Sequence, residues 1–193
     1  SMNGKLQTLV RESKREESEI TVAAGGTGSI WHSHLLGFGT AANTAFKFRS
    51  FPGEGPSRLA AVSGQVSAVL SSIGGQAADI QNGRLKPLGM VDGEAFELRG
   101  FGEIASVADF YPGVAEAPVN RFVGFAIPGD VPAEVRERIG AAFTLAIAGP
   151  ALKSLANEQI WRLDGTWGEA ANQKITAAVE RRIADLKLIA EAK

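Results

Sequence analysis

Short apolar runs alternate with amphipathic stretches along the N-terminal half of the chain. Each run is bounded by turn-forming residues, which is typical of a buried strand. The predicted strands are 20–24, 45–48, 66–70 and 85–91. Between them apolar residues recur at helical spacing, and the predicted helices are 5–14, one from about Ile30, one ending near Ser63-Gly64, and 77–81. Strands that alternate with helices predict an α/β fold with a mainly parallel sheet flanked by helices.

The C-terminal half has a different pattern. Residues 92–120 are rich in Gly, Pro and acidic side chains, which indicates connecting structure. Amphipathic helices are predicted from Pro132 to Ile147 and from Ile175 to Ala190, the second preceded by Thr166 and Glu169 at capping-box spacing. The remaining predicted elements are strands at 122–127 and 161–163 and a short helix at 152–156.

The composition of the chain limits the classes of function and chemistry that can be expected of it. Twenty basic residues nearly balance 21 acidic ones in the 193-residue chain. Nucleic acid is therefore not an expected partner, because phosphate binding needs a concentrated positive surface. The chain has no cysteine, which excludes thiolate chemistry, zinc–thiolate sites and disulfides. No apolar stretch approaches the roughly 20 residues needed to span a bilayer.

A glycine-rich turn follows the first predicted strand, with the sequence Gly25-Gly26-Thr27-Gly28-Ser29. A strand, such a turn and a helix N-terminus together present backbone N–H groups and the positive end of the helix dipole, which suits a carboxylate or a phosphate. Thr27 and Ser29 add hydroxyl donors. The alternative is a tight strand-to-helix turn with a serine cap. No Lys follows at P-loop spacing, and Trp31 stands where a dinucleotide fingerprint requires its last glycine.

The other polar candidates are two histidines and a serine pair. His32 and His34 are two residues apart, so a helix places them on different faces and joint metal binding is not expected. His32 is interpreted as a support for the turn. Ser71-Ser72 ends a predicted strand, the position where open α/β sheets bind ligands, although a plain strand-ending turn explains the pair as well. No metal or cofactor is predicted.

Four segments, in order, resemble motifs of the Bug/TctC family, the periplasmic solute receptors of tripartite tricarboxylate transporters. The run Gly26-Thr27-Gly28-Ser29-Ile30-Trp31-His32 is similar to the family's G-x-G-S-x-x-H turn. The other matching segments are Gly53-Glu54-Gly55 with Ser63-Gly64-Gln65-Val66-Ser67, then Gly83-Arg84-Leu85-Lys86-Pro87-Leu88-Gly89, then Gly124-Phe125-Ala126-Ile127-Pro128-Gly129-Asp130-Val131-Pro132. Ser67 departs from the pattern, since the family usually has Asp there.

The resemblance implies a two-lobed receptor of the type II periplasmic-binding-protein class, not an enzyme. Residues 5–121 would form the second lobe, and residues 122–193 would be the returning segment of the first lobe, the rest of which is expected to be absent from this chain. The protein would work in the periplasm, capture a small organic acid and deliver it to membrane permease subunits. The ligand-binding residues it implies are Gly26, Thr27, Gly28, Ser29, His32, Ser71 and Ser72.

Two other function classes remain open from the sequence. An effector-sensing domain of a transcription regulator shares the two-lobed architecture, and an upstream DNA-binding region would favour it. An enzyme acting on phosphate esters at residues 26–29 is the other, although no base, metal cluster or carboxylate pair has usable spacing. The apolar stripes of the last two long helices also predict a homodimer, because such a stripe needs a partner surface. The alternative is a closed monomer in which these helices fold back onto the sheet of residues 20–90.

Overall fold

A computed structural model describes residues 2–91, 94–114, 124–160 and 163–191. The chain divides into two compact units, residues 1–120 with 185–193 and residues 121–184, and each is described here by itself. The elements up to residue 81 are α1 (Met2–Ser13), β1 (Thr21–Ala23), α2 (Ile30–Ala41), β2 (Lys47–Arg49), α3 (Glu54–Val62), β3 (Ala68–Val69) and α4 (Ile73–Gln81). The later elements are β4 (Phe96–Leu98), β5 (Gly102–Ile104), 3-10 turns at Val107–Asp109 and Pro112–Val114, α5 (Ala133–Ala148), α6 (Pro150–Gln159) and α7 (Glu169–Glu191).

The first unit is built on a parallel sheet with strand order β2-β1-β3. The central strand β1 pairs with both neighbours, with Val22 opposite Phe48 on one side and opposite Ala68 on the other. The chain crosses from β1 to β2 through α2 and from β2 to β3 through α3. The predicted α/β class, a parallel sheet flanked by helices, is therefore confirmed.

The side chains of β1 point alternately to the two faces of the sheet, and each face has its own apolar core. Val22 and Ala24 pack with Leu35 of α2, whereas Ala23 packs with Ala60 of α3. Successive strand residues point to opposite faces, so a fully apolar strand must be covered on both. This explains why residues 22–24 are apolar without alternation. A third core joins α1 to the end of α2 and to the 3-10 turns, and its buried members are Leu6, Val10, Phe38, Ala42, Val107 and Val114.

Two predictions for the region 85–120 are wrong. Residues 85–91 form no strand, apart from an isolated bridge between Met90 and Ser106. The N–H groups of Arg84 and Leu85 instead donate to the carbonyl of Asp79, and Pro87 has no N–H to donate. Within residues 92–120, interpreted above as connecting structure, β4 and β5 form an antiparallel hairpin.

The second unit contains α5, α6 and the part of α7 before residue 185. The three predicted helices are confirmed. The ring of Trp167 covers Gly140 of α5, where an added Cβ would lie 2.4 Å from the ring. Residues 124–127 and 163 are not in a strand, and the rest of the two predicted strands lies outside the described residues. Thr166 is not the cap of α7, because its hydroxyl donates to Asp164 and the helix begins at Glu169.

The helices were also compared with the length and apolarity of a membrane span. None of the described helices passes this test alone. Residues 133–148 and 150–158 pass it only when they are taken together, as a pair bent by 62°.

Candidate functional site

Three helices of the first unit begin at the edge of the sheet where the parallel strands end. Ser29 is the N-cap of α2, Gly53 the N-cap of α3 and Ser72 the N-cap of α4. Helix N-termini carry unpaired N–H groups and partial positive charge, and the carboxyl ends of strands are the ligand-binding edge of open α/β sheets. The candidate site is therefore this edge. It consists of residues 25–29, here named the glycine turn, and residues 70–72, here named the serine loop, with the start of α3.

The glycine turn is tied to the segment that leads into α3. The N–H of Gly25 donates to Ser57 Oγ and the N–H of Thr27 to Ser50 Oγ, both at 3.1 Å. Gly25 also accepts from the N–H of Phe51 at 3.1 Å. Within the turn, the N–H of Gly28 donates to His32 Nδ1 and the N–H of Ser29 to the carbonyl of Gly26. The N–H groups of Thr27, Gly28 and Ser29, which the sequence assigned to a ligand, are thus used by the protein itself. Gly25 and Gly28 have φ of 64° and 77°, the left-handed conformation that favours glycine.

Ser29 has a structural role at the end of the glycine turn. Its hydroxyl donates to the carbonyl of Ala24 at 2.8 Å and accepts from the N–H of His32 at 3.2 Å. The first bond joins the turn to the end of β1, and the second caps α2. The hydroxyl hydrogen of Ser29 therefore points to Ala24, so a ligand could receive it only if that bond were broken.

His32 lies against the glycine turn. Its Nδ1 accepts from the N–H of Gly28 at 3.2 Å, and its ring stacks on Phe48 with centroids 4.0 Å apart and planes 11° apart. This geometry agrees with the role of a support. His34 contacts Trp31 edge to face, with centroids 5.4 Å apart. Among the described residues, no group of three or more His, Asp or Glu side chains could hold a metal ion.

The serine loop is fastened by a residue that the sequence analysis did not select, Glu54. Ser72 Oγ donates to Glu54 Oε2 at 2.6 Å, and the N–H of Ser72 donates to the same oxygen at 3.3 Å. Trp31 Nε1 donates to Glu54 Oε1 at 2.8 Å. Ser72 Oγ also accepts from the N–H of Gly75 and so caps α4. The carboxylate of Glu54 therefore contacts the first turns of α2 and α4 from the first residue of α3.

The side-chain hydroxyls of Thr27 and Ser71 differ from the other hydroxyls of the site in their hydrogen bonding. In the part of the chain that the structure describes, no hydrogen bond involves the side-chain hydroxyl of Thr27 or of Ser71. Thr27 is exposed on the glycine turn. Ser71 is 9% exposed and follows Leu70, whose N–H still donates to Ala23 in the sheet ladder. These two hydroxyls can donate to a ligand without breaking a bond of the fold.

The residues missed by sequence reasoning are Ser50, Glu54 and Ser57. All three lie in or beside the second Gly/Pro cluster, Pro52-Gly53-Glu54-Gly55-Pro56. The sequence feature that could have identified them is the group of polar side chains around that cluster, just after a strand. Their partners lie 18 to 32 residues away along the chain, so local spacing could not identify them.

Comparisons with known proteins find similarity to a bacterial protein in sequence and to a solved structure in fold. A scan against known protein families finds no matching family. A UPF0065 protein of Bordetella bronchiseptica is 28% identical over 193 residues, which cover 97% of this chain and 53% of that protein. The chain thus spans about half the length of this relative. A solved structure described as a periplasmic transporter aligns with a TM-score of 0.69 and 18% identity, over 98% of this chain and 60% of its own.

Proposed function

We propose that this chain belongs to a solute-binding receptor that captures a small organic acid through the glycine turn and the serine loop. The observation that carries the proposal is the meeting of three capped or glycine-led helix N-termini at the carboxyl edge of a parallel sheet. Fixed N–H dipoles and hydroxyls at such an edge favour a carboxylate. The similarity to a UPF0065 protein and to a periplasmic transporter structure supports a transport receptor, and binding requires no catalytic group.

The site residues have separate roles in this proposal. Thr27 and Ser71 donate their hydroxyls to the ligand carboxylate, and the backbone of Gly26 and Gly28 allows close approach of the ligand. Ser29, His32 and Ser72 hold these donors in place through the bonds described above. A preorganised donor loses less freedom on binding than one that must reorder, so the supporting residues contribute to affinity without touching the ligand.

We further propose that the site is completed by a second lobe. Residues 5–121 form one lobe, and residues 122–193 return to the other, whose remaining part is outside this chain. The relative is nearly twice as long, and one boundary between the two compact units lies between residues 120 and 121, both of which support this arrangement, whereas residues 185–193 group with the first unit. A cleft receptor takes its contacts from two lobes, so we expect this chain by itself to bind the acid weakly. Periplasmic location and delivery to permease subunits of a tripartite tricarboxylate-type transporter complete the proposal.

Ligand class is tested by thermal shift on the full-length gene product that contains these residues. Citrate, succinate and other di- and tricarboxylates should raise the melting temperature, whereas neutral amides and amines of similar size should not. The double variant Thr27→Val with Ser71→Ala should lower affinity by about a hundredfold or more, because each lost bond to a charged group is worth about 1.5–3 kcal/mol and two are lost.

The matched control for that variant is Thr40→Val. Thr40 is an exposed threonine at the far end of α2, where its hydroxyl donates to Leu36. It should leave ligand affinity unchanged. Stabilisation by neutral or cationic compounds alone would show that the carboxylate proposal is wrong. A DNA-binding region encoded upstream, in place of a secretory signal, would indicate the regulator class instead.

We also propose a homodimer through the C-terminal helices. Ile139 of α5 and Val179 of α7 are 40% and 52% exposed, and each lies in a stripe of exposed apolar residues. The full stripes are Val135, Ile139 and Phe143 on α5, and Ile175, Val179 and Ile183 on α7. Apolar stripes spaced four residues apart along a helix fit a second helix, and a two-fold axis brings the same stripe of another copy against it.

A further inference from the structure

Glu54 lies at the centre of the candidate site, half-buried as the first residue of α3. Among the described residues, its two carboxylate oxygens accept one hydrogen bond from Trp31 Nε1 and two from Ser72. Trp31 follows the glycine turn by two residues, and Ser72 belongs to the serine loop. One side chain therefore links the two segments that would face the ligand.

We infer that Glu54 is a positioning residue that sets the distance between the glycine turn and the serine loop. As a site for a carboxylate ligand, this arrangement rests on the function proposed above. A carboxylate suits this place because it is an acceptor with two oxygens at helix N-termini, where negative charge is stabilised. Hydrogen bonds to an ionised acceptor are also shorter and stronger than neutral ones, as the 2.6 Å contact with Ser72 Oγ illustrates.

The contacts of Glu54 also give the two serines of the serine loop different roles. The hydroxyl hydrogen of Ser72 is donated to Glu54, and the oxygen of Ser72 accepts from Gly75. Ser72 is thereby fixed as a structural link. The neighbouring hydroxyl of Ser71 has no such bond among the described residues, so Ser71 is the serine that donates to the ligand.

Glutamine has nearly the shape of glutamate but cannot reproduce these bonds. Its amide has one acceptor oxygen, and its NH₂ group must then face either the indole N–H of Trp31 or the donors of Ser72. Two donors facing each other repel, so the Glu54→Gln variant should release one of the two segments. An Ala variant would also create a cavity, which makes Gln the cleaner test.

The experiment is made in the full-length gene product that contains these residues. It compares Glu54→Gln with Glu97→Gln, which removes the same charge from an exposed position on β4. The readouts are calorimetric binding of citrate and succinate, the NMR resonance of the Trp31 indole N–H, assigned with Trp31→Phe, and hydrogen exchange of the Gly75 amide. Glu54→Gln should weaken binding by about tenfold. It should also shift the indole resonance upfield if the Trp31 bond is lost, or speed exchange at Gly75 if the Ser72 bonds are lost. Glu97→Gln should change none of these.

The outcomes separate this inference from the proposed function. If wild type binds carboxylates and folded Glu54→Gln binds them equally well, the positioning role is wrong and the receptor function stands. If wild type binds no carboxylate while Glu54→Gln still alters Trp31 or Gly75, the proposed ligand class fails and the positioning of the two segments stands. Should Glu54→Gln not fold, Ser72→Ala replaces it, because it removes one donor and keeps the carboxylate. It should weaken binding while the Trp31 resonance stays in place, and unchanged affinity would overturn the inference.

Discussion

Replacing Ser29 with Ala should destabilise the fold rather than act on the ligand directly. The hydroxyl caps α2 through the N–H of His32, and the loss of a serine N-cap costs about 1 kcal/mol. It also donates to the carbonyl of Ala24, a fully buried residue, and a lost neutral hydrogen bond costs about 1 kcal/mol more. The expected total is about 2 kcal/mol. For a chain of this size that lowers the melting temperature by about 4–8 °C.

The matched control is Thr27→Val in the same turn. The hydroxyl of Thr27 is exposed and has no hydrogen bond among the described residues, so its loss should change stability by less than about 0.5 kcal/mol. Urea unfolding followed by circular dichroism, with calorimetry for the melting temperature, measures both variants. The reasoning is refuted if Ser29→Ala costs less than about 0.5 kcal/mol, or if Thr27→Val costs as much as Ser29→Ala.

Three further predictions concern other parts of the chain. Asp79 is 1% exposed and pairs with Arg58, so Asp79→Asn should cost about 2–4 kcal/mol in urea unfolding; a loss below about 1 kcal/mol would contradict this. Hydrogen bonds from Lys174 and, to a smaller extent, from Thr166 lower the pKa of Asp164 from 3.8 to about 2. The stabilising contribution of Asp164 is therefore present above pH 3.8 and lost as pH falls through about 2. Lys174→Met should move the pKa part of the way towards 3.8 in an NMR titration, and an unchanged pKa would contradict the pairing. Val179→Asp should convert a dimer to monomers in light scattering, since a charge at an apolar interface is costly, and a wild-type monomer at high concentration would rule out the dimer.

The local sequence was sufficient to predict the elements that have a strong apolar or capping pattern of their own. The apolar run at 20–24 and the Ser29 cap predict the β1–α2 unit, and the helical periodicity of 135–147 and 175–190 predicts α5 and α7. Each signal acts over a few residues along the chain, through side-chain alternation, capping or apolar spacing. The motifs that carry the family resemblance are likewise short local segments. The position of the glycine turn before a helix follows from the Ser29 cap and from the apolar spacing that comes after it.

The tertiary structure decided where hydrogen bonds are made and hence which polar groups remain for a ligand. Residues 85–91 are predicted from the sequence to form a strand, yet the N–H groups of Arg84 and Leu85 bond to Asp79 and only an isolated bridge at Met90 forms there. The local sequence around a turn hydroxyl does not show whether that hydroxyl is hydrogen-bonded within the protein or available to a ligand. Ser29 and Thr27 are two residues apart, but within the described part of the chain only the Ser29 hydroxyl is bonded, because Ala24 lies within its reach. The link from Glu54 to Ser72 joins residues 18 positions apart, and no periodicity encodes such a contact.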